Sequence, residues 1–260
     1  MAGNEIAIAD FLLKKIGKIT LNHLGLIKQI GAPDKSIKKY KTINDSDELN
    51  LISTQDSKKK ADIYINGIGV SLKQSGPSFA YNRLQRADLL NLFNFFKLNK
   101  PERILEKIDG EINDFHEQKN IGRSRPWLPI FKEDEFKKLV KYLMMDGSPK
   151  EESNHKASLI LEASRIIASS NDISVYTFDE YFDNYKNNIF IGIRRQWIGQ
   201  SSQSEHRRAL GLKKKQENMK WIYDDVKGSP NPSKSSGLIW NPSWAEKDRK
   251  TVYMVFIEKI

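Results

Sequence analysis

Residues 61–73 read ADIYINGIGVSLK, and the reading of this stretch decides the fold. Asn66-Gly67 separates two runs rich in β-branched residues, and a type I′ turn needs positive φ at both central positions, which asparagine and glycine tolerate best. A two-residue turn sets the register: Ile65 opposite Ile68, Tyr64 opposite Gly69, Ile63 opposite Val70, Asp62 opposite Ser71, and Lys73 facing Lys60. Side chains alternate faces along a strand, so Ile63, Ile65, Ile68, Val70 and Leu72 share one side and can be buried. Asp62, Tyr64, Gly69, Ser71 and Lys73 share the other. Opposed residues have Cβ atoms about 5 Å apart, so an acid, a hydroxyl and an ammonium group surround one metal-sized space. The plainer alternative is a half-exposed hairpin whose polar face is only solvated.

Ala61-Asp62 followed by Ser71-Leu72-Lys73 resembles the PD-(D/E)xK signature of type II restriction endonucleases and related DNA nucleases. Ala61 stands where the motif has proline, and Ser71 stands where it has its second carboxylate, a neutral substitution that several members of the superfamily carry. The remaining layout is similar to the small enzymes that cut tetranucleotide sites: a helical middle, then a β-rich, basic C-terminal part ending on a strand. The resemblance implies an α/β (α+β) fold with a restriction-endonuclease-like central mixed β-sheet flanked by helices. It also implies a prokaryotic cytoplasmic setting, Mg²⁺ as cofactor and double-stranded DNA as partner. Asp62, Ser71 and Lys73 are then the catalytic set. Asp62, the Ser71 hydroxyl and the Leu72 carbonyl are the metal ligands, and Lys73 stands beside the attacking water. Losing one negative charge at Ser71 implies weak metal affinity and one well-defined ion, not two. Two-fold symmetric cutting implies a homodimer, although small enzymes of this kind also act as monomers that nick each strand in turn.

The composition agrees with such a partner. The chain has 260 residues and a formal net charge of +10, and a basic surface attracts phosphates and releases their counterions. Residues 190–260 carry 14 Lys and Arg against 7 Asp and Glu, so +7 of the +10 lies there. Cysteine is absent, which excludes disulfides and thiolate metal sites and fits a reducing compartment. His23, His116, His155 and His206 lack HxxxH or HExxH spacing, so a zinc site is not expected. No phosphate-binding loop, dinucleotide fingerprint or GxSxG elbow occurs, which argues against a nucleotide cofactor. The N-terminal stretch has no long apolar run and carries Glu5 and Asp10, so neither a signal peptide nor a membrane span is expected.

One domain with elaborations is expected: helices and a loop over 1–60, the hairpin and a helical part over 61–170, and the basic β-rich part over 171–260. Asn4 caps a first helix to about Lys15, with Ile8, Phe11, Leu12 and Ile16 on its apolar stripe. Glu5 favours the positive end of that helix dipole, which is the preferred reading. In the resembled superfamily, a glutamate from an N-terminal helix reaches the metal, and Glu5 is the acid placed for it. Further helices are expected over Leu21–Ile30, Phe79–Phe96, from Pro101 to about Gln118, Phe131–Met145, Ser153–Ala168 and Asp179–Tyr185. Strands are expected over Leu49–Ile52, Ile173–Phe178, Ile189–Ile193 and Thr251–Ile257. Residues 228–237 read as a Pro/Ser/Gly-rich loop.

DNA contacts are expected from residues near the hairpin and in the basic half. Gln74, Asn82, Arg83 and Arg86 follow the catalytic strand, and Arg123 and Arg125 flank Ser124 in a loop suited to a sugar-phosphate backbone. Arg194, Arg195, Gln196, Gln200, Gln203, Arg207 and Arg208 suit base reading, because arginine pairs bidentately with guanine and glutamine with adenine. Nonspecific phosphate attraction is the alternative for each. The favoured function is a site-specific, Mg²⁺-dependent type II deoxyribonuclease. A structure-specific repair or junction nuclease with the same core, or a noncatalytic basic DNA-binding protein, are the alternatives.

Overall fold

The computed structural model describes residues 5–36, 39–45, 47–48, 59–76, 78–79, 84–116, 119–120, 122–149, 151–197 and 251–260. The expected strand at Leu49–Ile52 and the loop at 228–237 lie outside them. In chain order the elements are α1 (Glu5–Lys14), β1 (Thr20–Leu21), β2 (Gly25–Leu26), β3 (Ile30–Pro33), β4 (Tyr40–Thr42), β5 (Ile63–Ile65), β6 (Ile68–Gln74), β7 (Ser78–Phe79) and β8 (Leu84–Gln85). Then come α2 (Leu89–Phe95), α3 (Pro101–His116), β9 (Ser124–Pro126), α4 (Glu133–Lys141), β10 (Leu159–Ala163), β11 (Ile173–Tyr176), α5 (Phe178–Tyr185), β12 (Ile189–Trp197) and β13 (Thr251–Lys259). The chain divides into two compact units. One comprises Met1–Asn82, Lys132–Ile189 and Glu258–Ile260, the other Arg83–Phe131 and Phe190–Ile257. Among the described residues no helix is long and apolar enough to cross a membrane.

The first unit is built on a mixed six-stranded sheet in the order β11-β10-β6-β5-β3-β4, with β6 and β10 parallel and the remaining neighbours antiparallel. The hairpin register is as the turn predicts: Ile63 pairs with Val70, Tyr64 with Gly69 and Ile65 with Ile68, with φ of 50° at Asn66 and 82° at Gly67. The Asn66 side chain also ties the turn to the preceding segment. Its Oδ1 accepts from the Lys28 and Gln29 amides, and its Nδ2 donates to the Leu24 and Leu26 carbonyls. One sheet face is apolar: Ile63, Ile65, Val70, Leu72, Leu159, Leu161 and Ala163 pack with Ile8, Ala9 and Leu12 of α1. The other face is covered by α4 and α5, whose Phe136 and Phe182 meet at 6.3 Å, with Tyr181 of α5 against Tyr176 of β11. Helices therefore flank a mixed sheet on both sides.

Three expected helices are corrected. Leu21, Leu24, Ile27 and Ile30 recur every three residues as on a helix face, and all four are buried. They do so along a hairpin and a strand, because His23 (φ 61°) and Gly25 (φ 67°) take left-handed turn conformations. The segment Ser153–Ala168 holds β10 instead of a helix. A short apolar run cannot be assigned to helix or strand by period alone, and LILEA is buried along its whole length, as parallel strands covered on both faces are. Of the described residues in the expected helix Phe79–Phe96, Leu84 and Gln85 are instead strand, paired with Val255 and Met254 of β13, and the α-helix runs from Leu89 to Phe95. The helix expected over Phe131–Met145 forms as α4, widens into one π-helical turn over Tyr142–Asp146, and ends at Gly147, whose amide donates to the Tyr142 carbonyl.

In the second unit, β12 runs antiparallel to β9, pairing Ile191 with Arg125, and lies beside β13. Helix α3 opens on Pro101, where a missing amide hydrogen removes no helical bond. Phe93 of α2 meets Phe131 edge-on at 5.7 Å.

Candidate active site

The site forms where the β5–β6 ladder comes apart. The regular pairing stops at Ile63–Val70, and Asp62 turns its backbone amide to the Val70 carbonyl at 2.9 Å. Its carboxylate then takes the place that the Ala61 carbonyl would hold: Oδ2 accepts the Leu72 amide at 2.7 Å and the Ser71 hydroxyl at 3.4 Å. A strand residue presents its N–H and C=O on the same edge, so the Leu72 carbonyl faces this opening as well. The Ala61 amide that would have bonded it turns away to the His155 carbonyl, which also accepts from Lys60 N.

His155 holds that departing segment in place. It is 1% exposed; Nε2 meets the Asp34 carbonyl at 3.0 Å and Nδ1 meets the Tyr64 hydroxyl at 3.0 Å. A carbonyl can only accept, so Nε2 donates to Asp34, and Nδ1 shares the second hydrogen bond with the Tyr64 hydroxyl. Gly69 permits the close crossing, since a Cβ there would stand 2.4 Å from the Lys156 carbonyl oxygen.

Asp62 and Lys73 share one electrostatic neighbourhood, and Glu5 belongs to it. Burial raises the Glu5 carboxyl above its ordinary value and the Asp62 carboxylate pushes it further, while Lys73 and Lys59 pull the other way. Lys60 lies on the same ground. Its ammonium donates to the Leu143 carbonyl of the π turn at 2.8 Å; burial brings it down to about 8, Lys73 adding to the shift and Asp62 opposing it. Two carboxylates and three lysines thus share one electrostatic neighbourhood. The resemblance points to Glu5 at the metal and the helix dipole to a role in α1, and the electrostatic influence of Asp62 on Glu5 favours the first.

The remaining expected residues fall into distinct positions. Ser71 is 3% exposed and directs its hydroxyl to Asp62, so it orients that carboxylate from beneath. Gln74 is exposed at the end of β6. Arg86 forms a two-pronged pair with Asp109, Nε to Oδ1 at 2.7 Å and Nη2 to Oδ2. Arg125 is buried, and its guanidinium reaches Glu111 and the carbonyls of Gly122, Ser124 and Asn120. Here an arginine expected on a DNA backbone instead staples its own loop, because a buried guanidinium must find acceptors for all its donors. Arg123 is half-buried beside it. Arg194, Arg195 and Gln196 lie on β12, with side chains outside the described set. Asn82, Arg83, Gln200, Gln203, Arg207 and Arg208 lie outside the described residues.

These elements define a mixed α/β protein with a cluster of acids and lysines at the end of a central strand. Comparison of the chain with protein-family models, with curated proteins and with solved structures finds no match.

Proposed function

We propose that the protein is a Mg²⁺-dependent endonuclease of the PD-(D/E)xK kind on a restriction-endonuclease-like fold, hydrolysing phosphodiester bonds of double-stranded DNA at a short specific sequence. What supports this reading is that the Asp62 carboxylate accepts the Leu72 amide where the hairpin ladder opens, and that Asp62 and Lys73 both act electrostatically on Glu5. Ser71 removes one negative charge from the pattern, and Glu5 restores one. The basic balance of residues 190–260 supports a polyanionic partner.

Among the described residues no group of three or more His, Cys, Asp or Glu side chains is gathered for a metal. The donors here are two carboxylates and a carbonyl, all hard oxygens, and Mg²⁺ typically takes one or two carboxylates while keeping waters and substrate phosphate oxygens. Glu5, Asp62 and the Leu72 carbonyl fit that ion and would hold it. When bound, it lowers the pKa of a coordinated water and offsets charge on the scissile phosphate. The chain's own groups do the rest. The Lys73 ammonium hydrogen-bonds the attacking water and stabilises the oxygens that gain charge in the transition state. Ser71 and the Leu72 amide hold the Asp62 carboxylate in one orientation. Lys60, moored on the π turn, adds positive potential where the phosphate enters.

Incubating the protein with plasmid DNA and Mg²⁺, then sequencing the ends, tests this. Discrete fragments sharing a terminal sequence are expected, and nicks that follow DNA structure instead indicate a repair or junction nuclease. Intact plasmid with Mg²⁺ or Mn²⁺ overturns the nuclease reading. Comparing the rates of first and second strand cutting separates a homodimer from a monomer that nicks in turn.

A further inference from the structure

Strands β6 and β10 are parallel, so their C-terminal ends leave the sheet at one edge, with Lys73 beside Glu162 and Gln74 beside Ala163. The pairing continues one step further, Ser75 N donating to the Ala163 carbonyl at 2.8 Å. In sheets with parallel strands, ligands sit outside these carboxyl ends. The segment leaving β10 there is Ser164-Arg165-Ile166-Ile167-Ala168-Ser169.

Asp172 clasps this loop from both ends. Its backbone carbonyl accepts the Ser164 amide at 3.0 Å, and its carboxylate accepts the Ala168 and Ser169 amides at 2.9 and 2.8 Å. Ile167 packs onto the hydrophobic core. Between these anchors Arg165 is exposed and makes no ion pair or side-chain hydrogen bond among the described residues. Ile166 is 81% exposed, the most exposed large apolar side chain among them. A lone exposed isoleucine signifies little. Here it stands on a clasped loop, next to an arginine with a free guanidinium, at the sheet edge that carries Lys73 and Gln74.

We infer that the loop 164–169 is a duplex-DNA contact beside the candidate active site, Arg165 gripping a backbone phosphate and Ile166 packing against the adjoining nucleotide in the groove. The inference rests on the nuclease reading and extends it with a contact outside the basic C-terminal part. A guanidinium suits a phosphate because its fork matches two phosphate oxygens. An isoleucine on a loop whose backbone is already clasped gains from burial against sugar or base at a lower ordering cost than one on a free loop.

The test is fluorescence anisotropy of a labelled random-sequence duplex without divalent metal, over a salt series, with full-length wild-type protein and the Arg165→Ala, Arg165→Lys and Ile166→Ser variants. Arg165→Ala is expected to lower the slope of log Kd against log salt by about one, and Arg165→Lys to keep it. Ile166→Ser is expected to weaken binding roughly tenfold at every salt concentration, with an unchanged melting temperature. Wild-type affinity and slope in the Arg165→Ala and Ile166→Ser variants would overturn the loop contact while leaving the nuclease reading intact. So would equal loss in Arg165→Ala and Arg165→Lys together with a lowered melting temperature, which marks a structural arginine. A wild-type protein that neither binds nor cuts DNA overturns both.

Discussion

At the scale of single residues, the question is what each group at the opened ladder contributes. Asp62 already accepts two hydrogen bonds from β6, so its carboxylate is oriented before any ligand arrives. Asp62→Ala and Lys73→Ala are expected to abolish cleavage, seen as intact plasmid after long incubation, while leaving duplex affinity within a few-fold of wild type. Cutting at the wild-type rate by either variant would remove the residue from the mechanism. Glu5 is raised by burial and by Asp62, a repulsion that a divalent cation relieves. Glu5→Gln is therefore expected to raise the Mg²⁺ concentration for half-maximal cleavage roughly tenfold. A cleavage rate that responds to Mg²⁺ as wild type does would return Glu5 to a role in the helix alone. Arg125 shows the opposite lesson, since its chemistry suits DNA and its burial commits it to Glu111 and three carbonyls.

At the scale of elements, local sequence was legible wherever one turn or one cap decides the outcome. The Asn66-Gly67 turn set a register that the structure reproduces from Ile65–Ile68 to Ile63–Val70, beyond which the expected Asp62–Ser71 pair gives way to the opened ladder. Gly69 opposes Tyr64 in that register, and what makes glycine necessary there is the Lys156 carbonyl crossing above it. Gly69→Ala is expected to destabilise the fold by about 1–3 kcal/mol in denaturant unfolding, because the obstacle is backbone and cannot rotate away. The capping boxes give a pH signature. Glu180 is lowered from its ordinary 4.5 by the Thr177 amide and hydroxyl, and Asp172 from 3.8 by the Ser169 and Ala168 amides. A carboxylate with a depressed folded-state pKa contributes stability that is present above its unfolded value and is lost as pH falls through the folded one. Glu180→Gln and Asp172→Asn are thus expected to lower the melting temperature near neutral pH. Both should converge on wild type in acid below those values, where the wild-type carboxyls are protonated too. A gap that persisted in acid would mean that the side chains act by packing.

At the scale of the whole molecule, a buried ion pair within the first unit joins residues 97 positions apart. Lys259, one residue from the end, donates to Glu162 of β10, and both are nearly inaccessible. The Tyr185 hydroxyl donates to the second Glu162 oxygen at 2.7 Å, and the ammonium stands 4.0 Å from the centre of the Tyr185 ring. Removing one member of such a pair leaves the other charged and buried. Lys259→Met is expected to cost about 3–5 kcal/mol of unfolding free energy, and the double variant with Glu162→Gln markedly less. Equal losses in the single and double variants would show that packing, not charge, governs the site.

By itself the sequence determined the hairpin, its register up to Ile63–Val70, the two-faced character of β5 and β6, and the helices marked by proline and apolar stripe. Each of these depends on residues within about ten positions of one another, where turn sterics and side-chain period suffice. Only the tertiary structure decided that Leu159–Ala163 is a parallel strand beside Lys73, that Leu84 and Gln85 pair with β13, and that Glu5 approaches Asp62. Those outcomes rest on partners up to about 170 positions away. An apolar pentad or a first-turn acid looks the same in the sequence whichever partner burial later supplies.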